Sequence, residues 1–400
     1  MNKTNNKQVN QQVSQPAPIP PIEDMPVAPA DVVMAAQPQL TLPDIDFVQG
    51  GPYIHNQFVN DIQSGMKYMN RKTGFTELDR VQRLKPGMYF FGGVSGLGKT
   101  TFLWQLADQI AAMGNPVIYV SLETPKAMMF NKSITRYINL HADMDTTYHR
   151  YTNAEIEDGK AIGSRELAEQ MVAYENTVGG NLYFYKPDRR INVEQFLMLY
   201  DKWKKEFASQ YPDNPPVVIL DYLQILSPSL IGGHPLVDKK QNIDHAIGEL
   251  VAFQTRETVT MIAVCSFNRS IYLKPVSYEA FKETGEIEYS ADVMWGLQYA
   301  VVSQASFHYK PKADGTPSEK TTDSVEKNAK IEAAKTNAVR EVQLVALKNR
   351  YGSPSYTIDF HYEPRYETFR SAIIQTAAVA ALQDDEMNSF RICIDENNQE

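Results

Sequence analysis

The sequence is poor in cysteine and contains no long apolar run. Its only cysteines among 400 residues, Cys265 and Cys393, have neither the spacing of metal ligands nor that of a redox pair, so we expect buried or free thiols. No apolar run approaches the roughly 20 residues of a membrane-spanning helix. The beginning of the chain also lacks the charged and apolar regions of a signal peptide. We therefore expect a cytoplasmic protein that does not contact a membrane.

Basic residues are in the minority. The chain has 39 Lys and Arg against 48 Asp and Glu, which gives a net charge of −9. This balance excludes a protein that is coated in basic surface. It does not exclude nucleic-acid binding, because a ring or a groove can be locally basic while the outer surface is acidic.

Aromatic residues are missing from the start of the chain. No aromatic side chain precedes Phe47, and residues 1–45 hold eight of the 23 prolines together with many Gln and Asn. Such a segment cannot bury enough apolar surface to offset its chain entropy, so it predicts disorder. The whole sequence predicts a disordered Pro/Gln-rich arm over 1–50, a linker helix over 51–72, a globular domain over 73–375 with a charged insertion over 311–338, and an acidic tail over 376–400.

Short apolar runs alternate with segments of helical periodicity throughout the globular region. The runs predict strands near 88–92, 117–122, 181–185, 217–220 and 259–265. The periodic segments predict helices near 100–113, 125–139, 193–207 and 242–257. This alternation is typical of an α/β fold, in which helices cover both faces of a mostly parallel, doubly wound sheet.

The strongest motif is Gly93–Thr100, which matches the phosphate-binding pattern G-x-x-x-x-G-K-[ST] between a predicted strand and a predicted helix. Its glycines allow several backbone N–H groups to point at one anion, assisted by the helix N-terminus. Lys99 would reach the β- and γ-phosphates of ATP, and the Thr100 hydroxyl would bind Mg²⁺. The alternative is a glycine-rich turn that binds nothing. The residues assigned to nucleotide binding are Gly93, Ser95, Gly96, Gly98, Lys99, Thr100 and Thr101.

Two apolar strands end in carboxylates that suit hydrolysis. Asp221 follows four aliphatic residues, and at the carboxyl end of a parallel strand it could hold Mg²⁺ close to Thr100. Glu123 follows the predicted strand over 117–122 and could polarise a water for attack on the γ-phosphate. The alternative for Glu123 is a helix-capping acid, because Thr124 and Pro125 follow it.

These ordered motifs resemble the hexameric replicative DNA helicases of bacteria and phages, the DnaB-like family, which has a RecA-like P-loop NTPase core. The resemblance runs from about Thr73 to Arg370. The D-Y-L-Q tetrapeptide that begins at Asp221 is fairly specific to this family. The matching segments are Thr73–Asp79, Gly93–Thr100, Ser121–Pro125, Asp221–Gln224, Phe267–Arg269, Lys282–Asp292 and Lys348–Gly352.

The resemblance implies further functional residues. In the family the Glu at position 123 is the catalytic base, and the segment that includes Lys282, Glu283 and Gly285 is a pore loop that touches the DNA backbone. A surface loop with a salt bridge is the alternative for that segment. Lys348 and Arg350 match a basic pair that reaches the γ-phosphate held by a neighbouring subunit. They alternate along a predicted strand and so would share a face, although a solvated basic patch would look the same.

The sequence departs from the family in three places. Ser266 stands where the family has a Gln that senses phosphate, and a Ser is too short to span that distance. Lys282 replaces an Arg, which keeps the charge but loses the bidentate fork. The family's N-terminal helical domain has no match, and the Pro/Gln-rich arm stands in its place. We interpret these departures as those of a phage or mobile-element version, acting in a bacterial host cell.

Two functions of different class follow from the sequence. The first is an ATP- and Mg²⁺-dependent helicase that translocates on single-stranded DNA as a homo-oligomeric ring, expected to be a hexamer, in DNA replication, with a loader or primase as a further partner. The second is a RecA-like ATPase that acts as a DNA-binding switch, loader or scaffold without unwinding. A P-loop phosphotransferase is disfavoured by the D-Y-L-Q and pore-loop matches.

Overall fold

The computed structural model describes residues 48–268, 271–281, 285–311 and 317–372. These residues divide into two units, with the boundary between Val59 and Asn60. Nearly all of the arm expected over 1–50, and the whole of the tail expected over 376–400, lie outside the described residues. The segment expected as one linker helix contains two helices, α1 (Gly50–Asn56) and α2 (Phe58–Met66), and a 3₁₀ turn over Lys67–Asn70.

The second unit alternates strands and helices from residue 76 onward. Its helices are α3 (Thr76–Val81), α4 (Lys99–Ala112), α5 (Lys126–Met144), α6 (Asn153–Glu157), α7 (Arg165–Tyr174), α8 (Val193–Phe207), α9 (Lys239–Glu257), α10 (Glu286–Ser290), α11 (Ala305–His308) and α12 (Ser324–Thr336). Its strands are β1 (Gly87–Gly93), β2 (Val117–Ser121), β3 (Leu182–Tyr185), β4 (Val217–Asp221), β5 (Leu230–Ile231), β6 (His234–Pro235), β7 (Thr260–Ser266), β8 (Val293–Tyr299), β9 (Tyr309–Pro311), β10 (Pro317–Thr321), β11 (Arg340–Asn349), β12 (Tyr356–Glu363) and β13 (Thr368–Ser371).

Nine of these strands form one sheet in the order β13-β12-β11-β8-β1-β7-β4-β2-β3. The six strands from β8 to β3 are parallel to one another, whereas β11 pairs antiparallel with β8, and β12 and β13 continue the antiparallel pairing. The prediction of a mostly parallel, doubly wound α/β sheet is therefore confirmed. The antiparallel pairing of β11, β12 and β13 at one edge was not predicted. It makes β11, which ends just before Arg350, run in the opposite direction to the parallel strands.

Two apolar cores lie on opposite faces of the sheet. Successive side chains of a strand point to opposite faces, so the continuous apolar run of β1 serves both cores. Tyr89 and Phe91 pack with α4 and the β12–β13 hairpin, whereas Met88 and Phe90 pack with α8 and α9. A sheet covered on both faces leaves only the strand ends open to ligands.

The insertion expected over 311–338 is described in part. It contains the end of β9, β10, which pairs antiparallel with β9, and α12, which begins at an Asp323 cap. Among the described residues, no helix combines the length and the apolar character needed to cross a bilayer.

Candidate active site

The loop between β1 and α4 has the backbone conformation that its glycines allow. Gly96 and Gly98 have φ values of 76° and 96°, in the left-handed region that side chains disfavour. A Cβ on Gly98 would also lie 2.9 Å from the Tyr362 ring and 3.0 Å from the Phe369 ring. Those two rings stack with centroids 4.1 Å apart and pack beneath the loop. Glycine is therefore required at position 98 for both conformation and space.

Lys99 folds back over this loop. Its Nζ donates hydrogen bonds to the carbonyl oxygens of Gly93 and Val94, at 3.0 and 3.1 Å. Burial lowers the pKa of Lys99, while the carboxylates of Asp221 and Glu123 act in the opposite direction. The ammonium is thus held against the loop and is within electrostatic range of both acidic residues.

Asp221 is the last residue of β4 and is almost completely buried. The Tyr119 hydroxyl donates a hydrogen bond to its Oδ2 at 2.8 Å, and the Thr100 hydroxyl is a second hydrogen-bond partner. Burial raises the pKa of Asp221 despite these two bonds. A desolvated carboxylate beside a threonine hydroxyl is an oxygen donor set that suits Mg²⁺ when phosphate oxygens complete it. The two residues predicted to hold the metal are thus in contact.

Glu123 lies two residues beyond the end of β2 and is exposed. Glu123 is not the cap residue of α5, because α5 begins at Lys126 and its cap residue is Pro125, which forms no side-chain cap hydrogen bond. The charge of Glu123 acts on both Lys99 and Asp221. Within the described part of the chain its carboxylate forms no hydrogen bond or ion pair, so it can accept a proton from a water.

Thr101 has a partner that the sequence did not indicate. Its hydroxyl donates to Glu367 Oε2 at 2.8 Å, and Glu367 Oε1 forms an ion pair with Lys132 at 2.8 Å. Glu367 lies 266 residues further along the chain and has a left-handed φ of 52°. Because the Thr101 hydroxyl is held in the core, Thr101 could meet a phosphate only through its backbone.

Lys348 and Arg350 lie near the amino ends of the parallel strands, at the opposite strand ends from the phosphate loop. Asn349, between Lys348 and Arg350, pairs with Val293 at the beginning of β8, and Asp292 accepts a hydrogen bond from the Met88 N–H near the beginning of β1. The phosphate loop begins at the opposite end of β1, five residues further on. At about 3.3 Å per residue, some 17 Å separate the two ends. The basic pair therefore cannot reach the phosphate loop of its own subunit.

Strand alternation does not account for how the two basic residues come together. The β8–β11 register shifts between Ala346 and Lys348, and β11 ends at Asn349, so Arg350 lies outside the strand. Instead, Lys348 Nζ donates to the Glu288 carbonyl and Arg350 forms an ion pair with Asp292, both at 2.8 Å. Lys348 and Arg350 therefore do not share a strand face as predicted, and both instead contact the segment that contains Glu288 and Asp292. Burial and the nearby Arg350 charge lower the pKa of Lys348.

The predicted DNA-contact segment is only partly described. Lys282 and Glu283 lie outside the described residues. Gly285 immediately precedes α10 with an ordinary φ of −65°, and a Cβ there would make only an ordinary contact with the Tyr289 ring at 3.9 Å. The backbone therefore does not require glycine at 285.

Ser266 ends β7 beside Gly93, its register partner on β1. Its backbone N–H donates to the side-chain oxygen of Gln224 at 3.2 Å. Gln224 of the D-Y-L-Q segment therefore brings an amide side chain to the end of β7, where Ser266 replaces the family's Gln. No spacing in the sequence indicated this contact.

A phosphate loop between β1 and α4, with Asp221 at the end of β4 and Glu123 just beyond the neighbouring strand β2, defines a RecA-like P-loop NTPase domain. The model of the DnaB-like helicase C-terminal domain matches residues 71–371, and the chain belongs to that family. This confirms the family resemblance. Members of this family are helicases that hydrolyse nucleoside triphosphates.

Solved structures share the fold at low sequence identity. The chain is similar to the ATPase domain of a phage helicase, with a TM-score of 0.60 and 17% identity over 82% of this chain and 100% of that one. It is also similar to a DnaB-like replicative helicase studied with primase, with a TM-score of 0.57 and 18% identity over 82% of this chain and 67% of that one. No curated protein matches the chain.

Proposed function

We propose that this protein is an ATP-dependent DNA helicase that translocates on single-stranded DNA as a ring and acts in DNA replication. The observation that carries the proposal is the separation of two half-sites. Gly93–Thr101, Glu123 and Asp221 lie at the carboxyl edge of the parallel strands, and Lys348 and Arg350 lie at the opposite edge. Hydrolysis that needs residues from both half-sites therefore depends on contact between two subunits.

The residues of the carboxyl edge each have a role. Backbone N–H groups of the loop and Lys99 bind the phosphates of ATP. Thr100 and Asp221 would hold Mg²⁺, which supplies charge neutralisation on the phosphate oxygens when bound. Glu123 orients the attacking water and takes its proton. Its exposure and its lack of an ion pair among the described residues support this role.

Lys348 and Arg350 act on the nucleotide of a neighbouring subunit. Cationic groups supplied in trans stabilise the negative charge that develops on the transferred phosphoryl group. Because the two half-sites lie on different surfaces of one subunit, their contact is head-to-tail and must close into a ring or extend as a helix. We propose a hexameric ring, as the family resemblance implies.

The DNA would pass through the ring against the segment that contains Lys282, Glu283 and Gly285. A lysine adds charge attraction to the DNA backbone, and a glycine allows main-chain N–H groups to approach phosphates. A loader or a primase is proposed as a further partner, since primase is named with one of the similar structures. We place this activity in the cytoplasm.

Strand displacement on a forked DNA tests the proposal. The wild-type chain with ATP and Mg²⁺ is expected to separate the strands, and Glu123→Gln is expected to bind ATP and DNA without separating them. Glu77→Gln is a matched control, since it makes the same change in an exposed ion pair with Arg80 on α3. DNA-stimulated hydrolysis by the wild type without any displacement would instead favour a RecA-like switch, loader or scaffold.

A further inference from the structure

Two hydroxyl groups from different elements approach the carboxylate of Asp221. The Tyr119 hydroxyl donates to its Oδ2 at 2.8 Å from β2, and the Thr100 hydroxyl contacts it from the first turn of α4. A phenol keeps its proton at neutral pH, so Tyr119 is the donor in its bond. Tyr119 therefore occupies one oxygen of the carboxylate.

The order of the sheet places Tyr119 diagonally opposite Asp221. In the parallel pairing of β2 with β4, Tyr119 is the partner of Ile219, and Ser121 is the partner of Asp221. Side chains two residues apart on a strand point to the same face, so Tyr119 and Ser121 both lie on the face that carries Asp221. The Ser121 hydroxyl bonds instead to the N–H and the carbonyl of Thr124, at 2.9 and 3.0 Å. Among the described residues, Tyr119 is thus the residue of β2 whose side chain binds Asp221.

The ring of Tyr119 is held in place by its neighbours. Tyr119 is fully buried, Trp104 packs edge-on against it at a centroid distance of 5.1 Å, and Phe184 stacks on it at 6.4 Å. Trp104 is itself fixed, because its indole N–H donates to the Ser133 hydroxyl at 2.7 Å. The oxygen of the Tyr119 hydroxyl is thereby held beside Asp221.

Helix α4 connects this packing to the phosphate loop. Thr100 and Trp104 are four residues apart, so they lie on the same face of α4. Thr100 contacts Asp221, and Trp104 packs on the Tyr119 ring, whose hydroxyl in turn holds Asp221. These four side chains form a closed set of contacts around the carboxylate. The direction of the Asp221 carboxylate is therefore set by Tyr119 as well as by the backbone of β4.

Packing alone does not explain a hydroxyl at position 119. The other residues of β2 before Ser121 are aliphatic, and a phenylalanine would fill the same space without a polar atom to satisfy. In the described part of the chain, the hydrogen-bond partner of the Tyr119 hydroxyl is Asp221. The hydroxyl therefore acts on the carboxylate.

We propose that Tyr119 is the positioning residue for Asp221 in its role as a magnesium ligand. The hydroxyl holds Oδ2 and keeps the carboxylate beside Thr100, so that both oxygen donors are in place before the metal binds. The inference rests on the proposed function, since it needs Mg²⁺ at Thr100 and Asp221. It adds a residue that lies outside the motifs of the sequence.

Tyr119→Phe tests the inference, because it removes the hydroxyl and keeps the ring. Loss of a hydrogen bond that orients a metal ligand lowers metal affinity by about 10- to 100-fold, so the Mg²⁺ concentration for half-maximal hydrolysis should rise about tenfold or more. Excess Mg²⁺ should restore the wild-type kcat, because both ligands are intact. Electron paramagnetic resonance of Mn²⁺, titrated with a non-hydrolysable ATP analogue present, should show the same loss of affinity without turnover.

Tyr89→Phe is the matched control. Tyr89 is also fully buried, packs edge-on against a tryptophan, Trp295, at 5.4 Å, and donates its hydroxyl to the Lys85 carbonyl at 3.0 Å. It lies four residues before Gly93, where the phosphate loop begins, some 13 Å away along β1. Both variants should lose a similar amount of thermal stability in a chelator, and only Tyr119→Phe should lose metal affinity.

Equal Mn²⁺ affinity in Tyr119→Phe and the wild type would overturn the inference and leave the helicase proposal standing. An equal loss of affinity in Tyr89→Phe would show a general effect of a lost hydroxyl on the fold and would also overturn the inference. A wild-type chain that binds no Mn²⁺ with the ATP analogue would overturn both the inference and the proposed metal site on which it rests.

Discussion

Complementation between two inactive variants follows from the separation of the half-sites. Glu123→Gln removes the proposed base but keeps Lys348 and Arg350, whereas Arg350→Ala keeps Glu123 and removes the finger. Each variant alone forms rings in which no site is complete. The roughly 17 Å between the two edges excludes completion of a site within one subunit. A mixed ring, however, contains interfaces at which an intact Glu123 meets an intact Arg350.

The expected activity of the mixture can be calculated. In an equal, random mixture, half of the subunits bring Glu123 to an interface and half of their neighbours bring Arg350. About a quarter of the interfaces are then complete, so the mixture should hydrolyse ATP at roughly a quarter of the wild-type rate if the interfaces act independently. Coupling between interfaces would lower this fraction, because every mixed ring also contains incomplete interfaces.

The assay is steady-state ATP hydrolysis with single-stranded DNA, after the two variants are mixed as subunits and reassembled. Light scattering of the same samples checks that rings form. A mixture no more active than either variant, in rings shown to contain both and under conditions where an equal mixture of wild type and the double variant stays active, would refute the assignment of the two half-sites to different subunits. A double variant that carries both substitutions, mixed with wild type, is the control for loss of one subunit's function.

Three further predictions concern single residues. Burial raises the pKa of Asp221, so the stability that its protonated form contributes is lost as pH rises through the folded-state pKa. Near neutral pH and without nucleotide, Asp221→Asn should therefore melt at a higher temperature than the wild type. Its Mg²⁺-dependent hydrolysis should fall about a hundredfold. Gly352→Ala would place a Cβ 2.3 Å from the Val81 carbonyl oxygen, so chemical denaturation should show a loss of about 1–3 kcal/mol. Gly248→Ala, in α9 with open space for a Cβ, should gain about 0.5–1 kcal/mol. A loss in both glycine variants would mean that the contact with Val81 is not the cause.

Most of the parallel part of the sheet was predictable from sequence. Apolar runs bounded by polar residues mark β1, β2, β4 and β7 to within a residue or two, because strands buried on both faces need continuous apolar sequence. The phosphate loop was equally clear, since its glycines meet a local conformational requirement. The β12–β13 hairpin was not predicted, because its turn depends on Glu367 in a left-handed conformation, which is uncommon for a residue other than glycine.

Contacts between residues that lie far apart in the sequence could not be predicted from it. Thr101 and Glu367 are 266 residues apart, and no spacing rule relates them. The Tyr119 hydroxyl, a polar group within an apolar run, was a usable sign that this strand supports something polar. It donates to Asp221 from the neighbouring strand, and only the sheet order makes the two residues neighbours.

Short stretches of sequence were enough to predict the chemistry of this protein: a phosphate-binding loop, two carboxylates at the ends of parallel strands, and a basic pair near the end of the domain. These are local properties, because each needs only a few consecutive residues. Where the two half-sites lie was settled only by the folded chain. β11 runs antiparallel to β8, so its last residue lies beside the beginning of β8, at the opposite strand ends from the phosphate loop. Strand direction depends on long-range pairing, and that pairing separates the two half-sites.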